Sequence, residues 1–263
     1  MRKISAAALG LVVVASFISR DTEAQSIASR VASVRDGKVR FTFASRPDIC
    51  GYGNSISRGS NTRMSWGSDN SPDVSYDEEC SRSPVRIVLN VSGGRIQKLR
   101  TYVGGQWRPA TSETVDLGNL SVRDATGYLL SLASNEKSKV GEEAILPITL
   151  ADSVNVWPSL IRIARDENVY SSTRRQAVFW VGQAAGDVVA PDHYGRGRES
   201  EDSEVRKQAV FALSQRRKDE SVPALIQVAR NNKDPEVRRT ALFWLGQTGD
   251  PRAVSLFEEI LSR

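Results

Sequence analysis

"VRRTALFWLGQTGDP", Val237–Pro251, repeats an earlier stretch, "VRKQAVFALSQRRKD", Val205–Asp219, and a still earlier one, "TRRQAVFWVGQAAGD", Thr173–Asp187. The three begin at 173, 205 and 237, so each lies 32 residues after the last. Arg174, Arg206 and Arg238 recur without exception, as do Ala177, Ala209 and Ala241, Phe179, Phe211 and Phe243, and Gln183, Gln215 and Gln247. A second segment alternates with the first: "WPSLIRIAR" (157–165) matches "VPALIQVAR" (222–230), and "AVSLFEEIL" (253–261) is a looser copy. Apolar residues fall at helical spacing in each, and Pro158 and Pro223 suit a first helical turn, where no N–H donor is needed. Each unit therefore reads as a helix pair. A period near 32 marks a stack in which neighbouring units bury the apolar face that no unit can bury alone.

At this point the chain resembles the HEAT-like repeat family in its short bacterial form, over residues 144–263. In "DPEVRRTALFWLGQTGDPRA" Asp-Pro-Glu caps the second helix and Gly-Asp-Pro-Arg turns into the next unit. The whole chain also looks like exported bacterial HEAT-repeat proteins with a β-rich N-terminal region. It departs from the pattern between Gly186 and Ser203, where Pro191, Gly195 and Gly197 in "DVVAPDHYGRGRESEDS" predict a loop or degenerate helix that interrupts the stack.

Advancing 100° per residue along 237–247 puts Val237, Ala241, Trp244 and Leu245 in one sector, expected to be core, and Arg239 with Phe243 on the opposite side. The equivalents are Arg175 with Phe179 and Lys207 with Phe211. The resemblance implies that these second helices line a concave surface. There the pairs would form a ladder of one cation and one aromatic per unit, about 10 Å apart. Arginine and aromatics suit a protein interface. The competing reading has the rings filling gaps between units and the cations solvated. Arg174, Arg206 and Arg238 read as structural, paired with nearby acids.

The front of the chain has a different period. In "GKVRFTFAS" Val39, Phe41 and Phe43 alternate with Lys38, Arg40 and Thr42, and in "PVRIVLNV" Val85, Ile87, Leu89 and Val91 do the same. Gly93-Gly94 predicts a hairpin into "RIQKLRTYV", and "ETVDLGNL" offers a short strand. Ser121 and Asp124 form a capping-box-like start to a helix whose stripe is Tyr128, Leu129 and Leu132. The expected fold class is α+β: a small disulfide-tied antiparallel β lobe with one helix (25–134), a linker (135–143), and an α-solenoid of HEAT-like helix pairs (144–263).

Met1-Arg2-Lys3 followed by the apolar run Ile4–Ile18 has the pattern of a secretory signal peptide, placed at 1–24; an uncleaved anchor is the competing reading. The run is shorter than the roughly 20 residues that span a bilayer, and no membrane span is expected in the mature chain. The protein is thus expected to be exported, periplasmic or extracellular. There an isolated pair, Cys50 and Cys80, is most simply a disulfide. Zinc competes poorly, because the chain has one histidine.

No residue set resembles a catalytic centre. "CGYGN" does not join a strand to a helix as a phosphate loop does. Glu78-Glu79 reads as a solvated loop sooner than a cation site, and Tyr102, Trp107 and Trp66 as sheet packing sooner than a groove. His193, between Asp192 and Tyr194, reads as a lone surface histidine. A net charge of +5 without Lys/Arg clusters on a recognisable module argues for no nucleic acid. The expectation is a non-enzymatic scaffold without metal or cofactor that binds a protein or peptide along the helices. The alternatives are an enzyme-associated protein of phycobilisome-lyase type, since HEAT-like repeats of this short form occur there, and a binder of an acidic envelope polymer.

Overall fold

The computed structural model describes residues 22–53, 55–58, 62–65, 72–77, 80–189 and 201–262. The chain opens with helix α1 (Thr22–Ala32). Ten strands follow: β1 (Gly37–Phe43), β2 (Ile49–Tyr52), β3 (Ser55–Arg58), β4 (Thr62–Ser65), β5 (Val74–Ser75), β6 (Ser81–Arg82), β7 (Val85–Ser92), β8 (Arg95–Val103), β9 (Gln106–Trp107) and β10 (Thr114–Asn119). Nine further helices complete the described residues: α2 (Val122–Asn135), α3 (Lys139–Glu143), α4 (Ile145–Thr149), α5 (Trp157–Arg165), α6 (Ser171–Val189), α7 (Glu201–Ser214), α8 (Lys218–Asn231), α9 (Pro235–Thr248) and α10 (Val254–Leu261).

The alternating residues form the main sheet as expected, in the order β10-β1-β7-β8. Val39, Phe41, Phe43, Val85, Ile87 and Leu89 are fully buried on one face. Gly93 and Gly94, at φ +58 and +72, make the β7–β8 turn, a backbone that side chains resist. The sheet is mixed, however: β10 lies parallel to β1, Lys38 opposite Thr114 and Arg40 opposite Asp116. Alternation within a strand does not encode direction, and a parallel neighbour needs only the long connection that β2 to β9 supply.

The segment from Ile49 to Arg82, which contains both cysteines, forms further strands among its described residues. It holds a second sheet, β4-β3-β2-β6, which Ile49 and Ile56 anchor by entering the main core. The Cys50–Cys80 disulfide ties β2 to the residue before β6. Trp66 and Glu78-Glu79 lie outside the described residues.

Two helices cover the buried face of the main sheet, where one was expected. The second is α1, whose Ile27 and Val31 join the core beside α2. The expected cleavage point at 24 falls within α1, and residues 1–21 lie outside the described residues. On α2, Ser121 accepts the Asp124 N–H as the capping pattern predicts, and Tyr128, Leu129 and Leu132 are buried. The stretch expected as a linker carries α3, with Val140 and Gly141 buried and Glu143 accepting the Leu99 N–H of β8 at 2.8 Å. It is a joint: α3 touches β8, α2 and α6, and one apolar core runs from α1 through the sheet to α10.

In the helical half the caps agree with the sequence. Asp234 accepts the Glu236 N–H at the start of α9, Asp250 accepts the Arg252 N–H, and Gly249 ends α9 at φ +60. Pro158 stands in the first turn of α5, but Pro223 lies inside α8. That helix begins earlier than expected because the polar "KDES" before the proline is itself helical. The interruption also shrinks, since α6 reaches Val189 and α7 starts at Glu201; His193 and its neighbours lie outside the described residues. Arg238 donates to the carbonyls of Asn232 and Lys233 and not to an acid, which ties down the loop before its own helix.

Candidate functional site

Short loops make α7, α8 and α9 antiparallel neighbours in chain order, so α7 and α9 run parallel. This is the arrangement expected of successive units, and Phe211 of α7 meets Trp244 of α9 with ring centroids 5.0 Å apart. The first unit, α5 with α6, joins differently. Its α6 packs along α9, on the side of α9 opposite α7, because Gly246 and Trp244 are two residues and so about 200° apart on the helix.

The α6–α9 crossing is built on glycine. A Cβ on Gly182 would stand 2.9 Å from the Gly246 Cα and 2.9 Å from the Phe257 ring, and a Cβ on Gly246 would stand 3.0 Å from the Phe179 carbonyl oxygen. These two glycines are the same position of the repeat, and the middle copy has Ser214 there, which suits it less to so close an approach. The helices run in opposite senses where they cross: Arg175 lies against Gly249, whereas Phe179 and Gly182 lie against Gly246.

That geometry decides what becomes of the expected ladder. The rung on α6 is inverted: the stem of Arg175 covers the C-terminal end of α9, ten residues beyond Arg239, about 15 Å along the axis. Phe179 is half-buried, with its ring edge-on to the buried Trp180. Three evenly spaced rungs therefore do not form. The other two come together. Phe211, Trp244 and Phe243 make a continuous aromatic strip across α7 and α9, each ring 5.0 Å from the next. Phe211 is 42% exposed, among the most exposed large apolar side chains of the described residues, and Trp244 and Phe243 are half-buried. Lys207 and Arg239 flank the strip; both are half-buried and already engaged within the fold.

Trp244 packs against the core, as its sector predicts, and also supplies the middle ring of this surface. The signal in the sequence was the middle copy, where Ala212 replaces the tryptophan and leaves Phe211 to lean on Trp244. Around the strip the charges serve the scaffold. Lys218 donates to the Thr248 carbonyl at 2.7 Å at the end of α9, where a cation is favoured. Arg252 bonds Asp250 and holds its carboxyl below the usual range.

The outer face of the main sheet is a second concentration of polar groups. Lys38 and Arg40 on β1, Arg86 on β7, and Lys98 and Arg100 on β8 share it. Tyr102 is buried there against Val74 and Val88, and Trp107 stacks with both Arg40 and Arg86, 5.0 and 4.9 Å from the guanidinium carbons. These rings pack the sheet and line no groove. Asp73 is buried among Lys38, Arg100 at 3.2 Å and the Tyr102 hydroxyl at 3.0 Å. Burial alone would raise its pKa. The hydrogen bonds from Lys38 and Tyr102 and the charges of Lys38 and Arg100 outweigh that and hold it below the usual carboxylate range.

Breaking a buried pair costs up to about 3–5 kcal/mol, and Lys38 and Arg100 keep side-chain exposures of 42% and 30%. Asp73→Ala should accordingly lower stability by about 2–3 kcal/mol in urea titration. Because the folded pKa is depressed, the carboxylate's contribution is complete above about pH 4–5 and disappears as the pH falls through the folded value. The wild type and Asp73→Ala should converge in stability under acid.

Among the described residues no cluster of His, Cys, Asp and Glu could hold a metal, and no helix is long and apolar enough to cross a membrane. A shallow groove of about 430 Å³ between α5 and α10, lined by Ile161, Arg162, Arg165 and Glu258, is bridged by the Arg165–Glu258 ion pair and gathers no catalytic set. Compared with known proteins, the chain matches no curated protein and no solved structure. Residues 197–263 match a family model described as HEAT repeats, and that segment carries α7 to α10. By that match the C-terminal segment that holds the aromatic strip is similar to HEAT repeats.

Proposed function

We propose that the protein is a non-enzymatic scaffold that binds a protein or peptide partner on the surface of α7 and α9. The observation that carries this reading is the strip Phe211–Trp244–Phe243, three rings in series with the outermost 42% exposed, inside the segment that matches HEAT repeats. HEAT repeats commonly mediate protein interactions. Exposed aromatic clusters supply large contact area with little side-chain entropy to lose, and so carry much of the energy of an interface. Lys207 and Arg239 beside the strip already take part in interactions within the fold, so this reading rests on the rings.

Export is part of the proposal. The N-terminal apolar run and the Cys50–Cys80 bond are compatible with an oxidising compartment.

In affinity capture against the extract of the native compartment, Phe211→Ala/Phe243→Ala should reduce recovery of the specific partner by about tenfold or more, since each aromatic truncation at a hot spot costs about 2 kcal/mol. The circular dichroism spectrum should be unchanged. Full recovery with an intact fold would mean that the partner does not bind through the strip.

A further inference from the structure

The second helices of the three units are not covered alike. Helix α5 packs along α6 and α8 along α9, and the alanines at the matching position, Ala177 and Ala241, are fully buried. Ala209 of α7 holds the same position and is exposed. Three residues on, α6 and α9 carry Trp180 and Trp244, whereas α7 carries Ala212, which is exposed as well. Ala209, Ala212 and Arg216 stand at i, i+3 and i+7 and so share one face of α7. The other side of α7, with Val210 and Leu213, joins the core, where α7 packs on α8 and α9.

The cause is a missing neighbour. Among the described residues α7 follows α6 with no first helix between them. The helices that pack along α6 and α9 bring an apolar stripe: Leu160, Ile161, Ile163 and Ala164 are buried on α5, and Val222, Leu225 and Ala229 on α8. The sequence before α7, "APDHYGRGRES" (190–200), contains no such stripe. The remaining copy of the first-helix pattern, α10, is used elsewhere, packed on α5 and α6 with Val254, Leu256 and Phe257 buried.

The open face suits a helix. Two alanines let a second helix approach closely, as Gly182 and Gly246 do where α6 crosses α9. Alanine in the tryptophan position leaves room there for a guest's aliphatic side chain. Phe211 borders the face, one residue and so about 100° from Ala212, and adds its exposed ring. Helix α7 also ends the row of second helices, since α6 and α7 lie on opposite sides of α9. The outer face of a terminal unit is ordinarily polar; here Ala209, Ala212 and Phe211 stand on it.

We propose that the Ala209–Ala212 face of α7 seats an amphipathic helix of the partner protein, which takes the place of the first helix that this unit lacks. The guest presents Leu, Ile or Val at helical spacing, as α5 and α8 do. This rests on the reading that a partner binds α7 and α9, and it gives that partner's form.

The probe is a labelled, hydrocarbon-stapled peptide of the α8 sequence, Lys218–Asn231, titrated with the full chain and read by fluorescence anisotropy. Wild type should bind it, and should not bind the same peptide carrying Val222→Asp/Leu225→Asp. The variant Ala209→Glu/Ala212→Glu should bind the α8 peptide about tenfold or more weakly, because a buried carboxylate without a partner is costly. Its melting temperature should be unchanged, since both positions are exposed. Lack of binding by wild type, or equal binding by the Glu variant, overturns the proposal. So does wild type that sediments as a dimer beside a monomeric Glu variant, which would assign the face to a second copy of the chain. Partner capture separates this site from the strip. Capture lost in Phe211→Ala/Phe243→Ala but kept in Ala209→Glu/Ala212→Glu overturns the helix site and leaves the strip; capture kept in both variants overturns both.

Discussion

Gly182→Val should lower stability by about 3 kcal/mol, a fall of roughly 6–12 °C in melting temperature for a chain of this size. At Gly182 even one added carbon meets the Gly246 backbone at 2.9 Å, and backbone cannot swing aside as a side-chain tip can. The Phe257 ring blocks the other direction at 2.9 Å. The only relief is to part α6 from α9, which loosens the junction between the first helix pair and the rest of the stack. Gly127 is the control. It lies exposed in α2 with nothing within 4 Å of an added Cβ, so Gly127→Ala should stabilise by about 0.5–1 kcal/mol through helix propensity. Equal effects at the two positions in thermal melts would mean that α6 and α9 do not cross at these glycines.

Loss of the Cys50–Cys80 bond should cost about 3–4 kcal/mol, because the bond closes a long loop in the unfolded chain. The sequence separation is 30, and the enclosed sheet is small, held to the core by Ile49 and Ile56. Urea titration of Cys50→Ser/Cys80→Ser against wild type, and of wild type with and without reductant, should show the same drop. An unchanged midpoint would mean that the second sheet holds without its covalent tie.

Much of the fold could be read from periodicity and caps. The strands of the main sheet, the Gly93-Gly94 turn, the Ser121 cap and the Asp234 and Asp250 caps are local features, decided by residues a few positions apart. What could not be read was the relation between distant elements. The direction of β10 depends on a connection and not on its own six residues. The order of the helices depends on Gly182 meeting Gly246, a contact between residues 64 positions apart (246 − 182) that a repeat alignment shows only as an identity.

The candidate site was half legible for the same reason. Phe211 and Phe243 stand out because they recur, and each of them meets Trp244. Arg175 and Phe179 recur equally but sit on a helix that runs the other way. The core side of Trp244 follows from the helical wheel, but its contact with Phe211 does not, because a wheel assigns sides and not neighbours.

The central claim, that a partner sits on the α7–α9 aromatic strip, is tested most directly by photocrosslinking. A benzophenone amino acid placed at Phe211, at 42% exposure, is compared with the same group at Tyr170, 45% exposed in the loop before α6. One discrete crosslinked species is expected from position 211 and none from 170. Equal products from both positions, or none from 211 while the partner is still captured, would contradict it.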